Sequence, residues 1–149
     1  MSPNKADETL NVDAQYRTML ILWFAFLSSI VMYFVVALVI PKSGESENLV
    51  LSILFSALSA FLVVVSFALK KKYLARSVDA QEIKLVNTAY IAAAAFCEAA
   101  ALIGLLDLFI ARDRYYFVLI ALALFGQLLH FPRRVHLEEA SFKKTSSLT

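Results

Sequence analysis

Four apolar runs separated by short polar segments organise the chain. The first covers residues 19–40 without a charge; Pro41 stops it, and Lys42-Ser43-Gly44-Glu45-Ser46 makes a polar turn. The second covers residues 49–69, again uncharged, and ends at Lys70-Lys71-Lys72. A polar stretch reaches to about Val86, and the third run covers residues 87–110. A short link through Arg112 and Arg114 leads to the fourth and shortest run, residues 115–131, closed by Pro132-Arg133-Arg134. The first three exceed the roughly 20 residues a helix needs to cross a hydrocarbon core. None of the four shows the polar face that a surface helix of a soluble protein carries. The pattern therefore predicts an all-α, polytopic membrane protein, a four-transmembrane-helix bundle.

Around this domain of residues 18–131 lie an N-terminal segment (1–17) and a tail (132–149). Asp79-Ala80-Gln81-Glu82 has the spacing of a capping box, with Asp79 as N-cap, and predicts that the third helix starts about two turns before the membrane. The mixed-charge, Ser/Thr-rich tail is expected to be partly disordered. Eleven of the fourteen Lys and Arg residues fall in the N-terminal segment, the middle loop and the tail; only Lys42, Arg112 and Arg114 fall in the other two connections. By the positive-inside bias both termini should be cytoplasmic, in a cell (inner) membrane. Tyr16, Tyr73, Tyr115 and Tyr116 lie near the expected interfaces.

Composition agrees with the run lengths. Hydrophobic residues make up 60% of the 149 positions and charged residues 17%, against roughly 25% charged in soluble domains; mean hydropathy is +0.71. The net charge of +2 is too small to imply a nucleic-acid partner. Cys97 is the sole cysteine, so no disulfide can form within the chain. The opening Met-Ser-Pro-Asn-Lys lacks a signal-peptide pattern, so the first span is expected to direct insertion itself. No lipidation motif is read at either end.

The candidate chemistry centres on Glu98, at the midpoint of the third run and the only formal charge placed deep in any of the four. A carboxylate at that depth is costly and marks a functional-site hypothesis. With no Lys, Arg or His predicted at its level, a neutral carboxyl held by hydroxyls is the expected form. Ser28 and Ser29 in the first run, and Ser56 and Ser59 in the second, fall near mid-span and are the candidate partners. Asp107 lies roughly 13 Å nearer the far surface, where it could reach the headgroups and pair with Arg112 or Arg114.

Ala94, Ala101 and Gly104 are candidate helix-packing positions, because helices in lipid associate over small residues. Ser52, Ser56 and Ala60 form a similar ladder on the second helix, so the third helix should be the most centrally packed. Gln127 and His130, at the end of the fourth run, are expected to be interfacial anchors. His130 and His136 are six apart and split by Pro132, so no metal site is expected. There is no nucleophile–base constellation and no glycine-rich phosphate loop, so neither enzymatic activity nor a cofactor is expected.

Residues 96–106, Phe-Cys-Glu-Ala-Ala-Ala-Leu-Ile-Gly-Leu-Leu, resemble the ion-carrying helix of the rotor-ring proteolipid, subunit c of rotary ATP synthases. That resemblance implies an ion-carrier role for Glu98. The second run contains no glycine, where that family's preceding helix is glycine-rich, and the polar loop lacks the family's Arg-Gln-Pro. The overall layout is similar to small uncharacterised bacterial four-span membrane proteins. Those share an opening like Gln15-Tyr16-Arg17-Thr18-Met19, a central Glu98-Ala99-x-x-Leu102-x-x-Leu105 and a terminal Phe131-Pro132-Arg133. The functional expectation is a helical scaffold or accessory subunit. Its partners would be the lipid bilayer and either other membrane proteins or a second copy. The alternative is proton or cation binding at the mid-membrane carboxyl.

Overall fold

The computed structural model describes residues 5–40, 48–111 and 115–141, with side chains from residue 12 onward. The elements are α1 (Lys5–Val39), α2 (Leu49–Ala80), α3 (Ile83–Leu106) continued by a π-helical turn (Asp107–Ala111), α4 (Tyr116–Leu129) and α5 (Arg134–Ser141). Among the described residues there is no strand. Among the described residues, three helices are long and apolar enough to cross a membrane: the parts Val12–Val39 of α1, Leu49–Ala80 and Ile83–Ala111. A fourth crossing arises only if α4 is counted with α5, which bends away by 48°.

Polar and apolar sequence alike propagate these helices. Asn48 caps α2, its side chain accepting from the Leu51 N–H at 3.3 Å and so satisfying an end group the helix cannot. The Asn48 N–H donates to the Ala111 carbonyl at 3.0 Å, tying the start of α2 to the end of the π turn. At its other end α2 runs eleven residues past the apolar stretch, to Ala80. Residues 70–80 contain no Gly or Pro and several strong helix formers. Gln81 then takes a left-handed conformation (φ 52°) and the Glu82 N–H donates to the Ser77 carbonyl at 3.0 Å, a Schellman-type ending.

This geometry corrects two boundaries. The capping box does not form: Asp79 lies in the last turn of α2, and Glu82 is the N-cap of α3 without a side-chain cap. The expected polar loop between the second and third spans is two helices joined by Gln81 and Glu82. The tail differs as well. Pro132 cannot donate a backbone hydrogen bond and restricts Phe131, so the helix breaks there, but residues 134–141 fold into α5. Residues 142–149 lie outside the described part.

α3 is the central element, packed against α1, α2 and α4, while α1 and α2 barely touch each other. Its buried face is built from small residues, including Ala93, Ala94, Cys97, Ala100, Ala101 and Gly104, which lets neighbouring backbones come close. A Cβ on Gly104 would stand 2.8 Å from Ile120 Cγ1. On α2 the buried ladder is Ser52, Ser59, Val63 and Ser66; Ser56 is half-buried and Ala60 exposed, so the spacing of three to four holds with a different phase. Large apolar side chains such as Phe24, Met32, Leu54 and Phe61 point outward, as expected where lipid is the solvent.

Two apolar clusters result. One lies within the apolar bundle and includes Ile30, Val63, Cys97, Ala101, Tyr116 and Ile120. The other joins Val12 and Met19 of α1, Val86 and Tyr90 of α3, and Leu137 and Ala140 of α5. The second cluster gathers the start of α1, the overrun of α2, the start of α3 and all of α5 into a cap at one end of the bundle, here termed the basic end.

Candidate functional site

α1 and α3 face each other along a seam with two polar contacts: near the basic end Asn87 Nδ2 donates to Gln15 Oε1, and further along Glu98 meets two hydroxyls of α1. Ser29 Oγ donates to Glu98 Oε1 at 2.5 Å, and Tyr33 Oη donates to the same oxygen at 3.0 Å. Ser29 and Tyr33 are four residues apart, so one face of α1 presents both hydroxyls to one acceptor. Glu98 itself is half-buried. Its helical neighbours Ala95 and Leu102 are exposed, while Ala94 and Ala101 are buried. The carboxyl therefore sits on the edge of α3, between its packed face and its outward face.

Of the four expected hydroxyl partners, the structure brings only Ser29 to Glu98. Ser28 is exposed, because one residue is about 100° of helix and turns it off the seam. Ser59 donates to the Ala100 carbonyl at 3.3 Å and stitches α2 to α3. Ser56 is half-buried on α2, a helix that barely meets α1. Tyr33 was not among the expected partners. Its spacing of four from Ser29 was the available signal, masked because a tyrosine in an apolar run reads as packing. Ala94, Ala101 and Gly104 all lie in the buried face of α3.

A second set of polar contacts lies between α4 and its neighbours. Gln127 and His130 are not interfacial anchors: they are 0% and 1% exposed. Trp23 Nε1 donates to the Gln127 carbonyl at 2.9 Å, and Gln127 Nε2 donates to the Trp23 carbonyl at 3.4 Å. His130 Nε2 shares a hydrogen bond with Ser66 Oγ at 2.8 Å, and its ring stacks on Phe67 with centroids 4.4 Å apart. Cys97 Sγ approaches Ser66 Oγ at 3.6 Å. Trp23 of α1 and Ser66 and Phe67 of α2 close around the end of α4, while α5, bent 48° away, packs on α1, α2 and α3.

Asp107 also departs from expectation. It is fully buried rather than snorkelling to a headgroup, at the first position of the π turn, a local distortion that re-aims side chains. The expected pairing with Arg112 or Arg114 falls outside the described residues. Among the described residues no group of three or more His, Cys, Asp or Glu is placed to hold a metal ion.

The chemistry available at Glu98 is thus that of one carboxyl and two hydroxyls bridging two helices. Comparison with family models, with curated proteins and with solved structures gives no match for the chain.

Proposed function

We propose that this is a non-enzymatic integral membrane protein, a helical scaffold or accessory subunit. Its setting would be a bacterial inner membrane, with the basic end and both termini on the cytoplasmic side. The observation that carries the reading is the Ser29–Glu98–Tyr33 clamp. The one mid-span carboxyl is engaged by hydroxyls of the neighbouring helix, so its polarity serves to fix α1 against α3. α1 needs such a clamp because only 11% of its most apolar window is buried within the chain. The broad apolar face left over is surface for lipid, for other membrane proteins or for a second copy.

The test is gentle extraction of the tagged full-length protein, with the material that co-purifies compared between wild type and Glu98→Gln. Gln keeps an acceptor carbonyl for Ser29 and Tyr33 and removes the titratable proton. A constant partner retained by both forms supports the scaffold reading. A monomer alone in every extract removes it.

A second reading, proton or cation binding at the same carboxyl, is favoured by the half-burial of Glu98 beside the exposed Ala95 and Leu102. It predicts carbodiimide labelling of Glu98 at neutral pH, with protection by sodium or at high pH. Loss of function in Glu98→Gln without loss of fold would favour this reading over the first.

A further inference from the structure

At the basic end, the ammonium of Lys70 and the backbone N–H of Arg133 meet at one aromatic ring. Lys70 Nζ stands 4.4 Å from the centroid of Tyr90. The backbone N–H of Arg133 donates to the Tyr90 hydroxyl at 3.2 Å. Tyr90 is buried, so its position is fixed by the packing of α3. Of the carboxylates at this end, Asp13 and Glu138 pair with Arg134, at 2.8 and 3.0 Å, and Glu139 lies 3.7 Å from His136. Among the described residues, neither Lys70 nor Arg133 has an acidic partner within ion-pair distance.

Two further features suit an anion here. α5 begins at Arg134, immediately after Arg133, and its first turn contains no acid. The N–H groups of a helix's first turn lack acceptors within the helix and favour negative charge. In depth, Lys70 directly follows the apolar run 49–69, the level of lipid headgroups rather than of bulk water. Phe67, exposed and stacked on His130 one turn earlier on α2, offers apolar surface for an acyl chain.

We propose that Lys70, held over the Tyr90 ring, and Arg133, whose backbone is fixed on the Tyr90 hydroxyl, seat the phosphodiester headgroup of an anionic phospholipid. Diffuse attraction of basic residues to a charged membrane would act on every cation of this end alike. The seat differs in resting on two named residues, one with its ammonium over a buried ring and the other with its backbone anchored to that ring's hydroxyl.

The experiment uses the full-length protein in phosphatidylcholine nanodiscs, titrated with phosphatidylglycerol and, separately, with inorganic phosphate. Bound lipid is counted by native mass spectrometry. Wild type should retain phosphatidylglycerol saturably. Lys70→Met and Arg133→Gln should each weaken retention roughly fivefold, and the pair roughly 25-fold. Lys72→Gln and Lys84→Gln, both at exposed positions of the same end, should stay within about twofold of wild type if screening confines their effect. Equal losses in all four variants would overturn the seat in favour of a diffuse field. Phosphate binding as tight as lipid binding would overturn the lipid assignment. Helix content and melting in pure phosphatidylcholine report folding separately; if Lys70→Met fails there, Arg133→Gln and the charge-keeping Lys70→Arg decide the outcome.

Discussion

Trp23 and Gln127 each donate a side-chain N–H to the other's main-chain carbonyl, at 2.9 and 3.4 Å, across the α1–α4 seam. Neither side chain is the other's acceptor. Trp23→Phe and Gln127→Leu should therefore each weaken the seam by about 0.6 kcal/mol, and by no more than roughly 2. The double variant should cost close to the sum, within about 0.5 kcal/mol. Unfolding titrations in mixed detergent measure this. A large coupling energy would show that the two side chains act on one another directly.

Glu98 presents a sharper contrast between substitutions. Glu98→Ala leaves the Ser29 and Tyr33 hydroxyls without their acceptor, at a cost of about 1–3 kcal/mol. Glu98→Gln retains an acceptor and should cost less than half as much. Tyr33→Phe and Ser29→Ala each remove one donor, for about 0.6 kcal/mol apiece. The same unfolding titration ranks the four. Glu98→Gln as damaging as Glu98→Ala would remove hydrogen bonding as the source of the clamp.

Glycine should matter unequally. A Cβ at Gly104 would meet Ile120 Cγ1 at 2.8 Å, with Leu119 Cβ and the Ile120 backbone nitrogen at 3.2 Å. A Cβ at Gly126 would meet only side chains, Cys97 Sγ at 3.2 Å and Val63 Cγ1 at 3.3 Å. Gly104→Ala is expected to destabilise by about 1–3 kcal/mol through overpacking. Gly126→Ala should cost less, and Cys97→Ala should relieve part of that cost. Thermal melts of the single and double variants test the order.

The cap should loosen independently of the spans. Leu137 is fully buried in the cluster with Val12, Met19, Val86 and Tyr90. Leu137→Ala should cost about 2–5 kcal/mol of local stability, seen as faster amide exchange in α5 while the apolar part of α3 stays protected. Burial pushes the His136 imidazole below its ordinary value, against the opposing pull of Glu139. A folded-state value below the unfolded one means that folding releases protons. Docking of α5 should therefore weaken as pH falls below about 6.5. Relative to intrinsic exchange, protection of the α5 amides should fall between pH 7 and 5 in wild type and stay flat in His136→Gln.

The apolar runs were enough to locate the three membrane-length helices, because uncharged stretches of that length have one common solution in lipid. The small residues of α3 marked it as central for a related reason: only Ala, Cys and Gly let three neighbours come so close. Ser29 was legible as a partner for Glu98 from depth alone, but depth could not separate it from Ser28, since that choice depends on which face of α1 meets α3. The overrun of α2, the docking of α5 and the burial of Gln127 and His130 were not legible. The overrun follows from helix formers in a segment too polar to read as part of a span, whereas the docking of α5 and the burial of Gln127 and His130 depend on contacts among residues far apart in sequence. Tyr90 shows the difficulty: it reads as one aromatic in an apolar run, yet its ring lies under the Lys70 ammonium and its hydroxyl accepts from the Arg133 backbone.

That α1 and α2 barely meet bears on biosynthesis. A ribosome delivers these two segments first, yet as a hairpin they have almost nothing to hold on to. Each finds its mate only when the third segment has emerged and moved between them. Until then, Ser29 and Tyr33 face the insertion machinery or lipid with their acceptor still unmade, and release into the bilayer has reason to wait for residue 98.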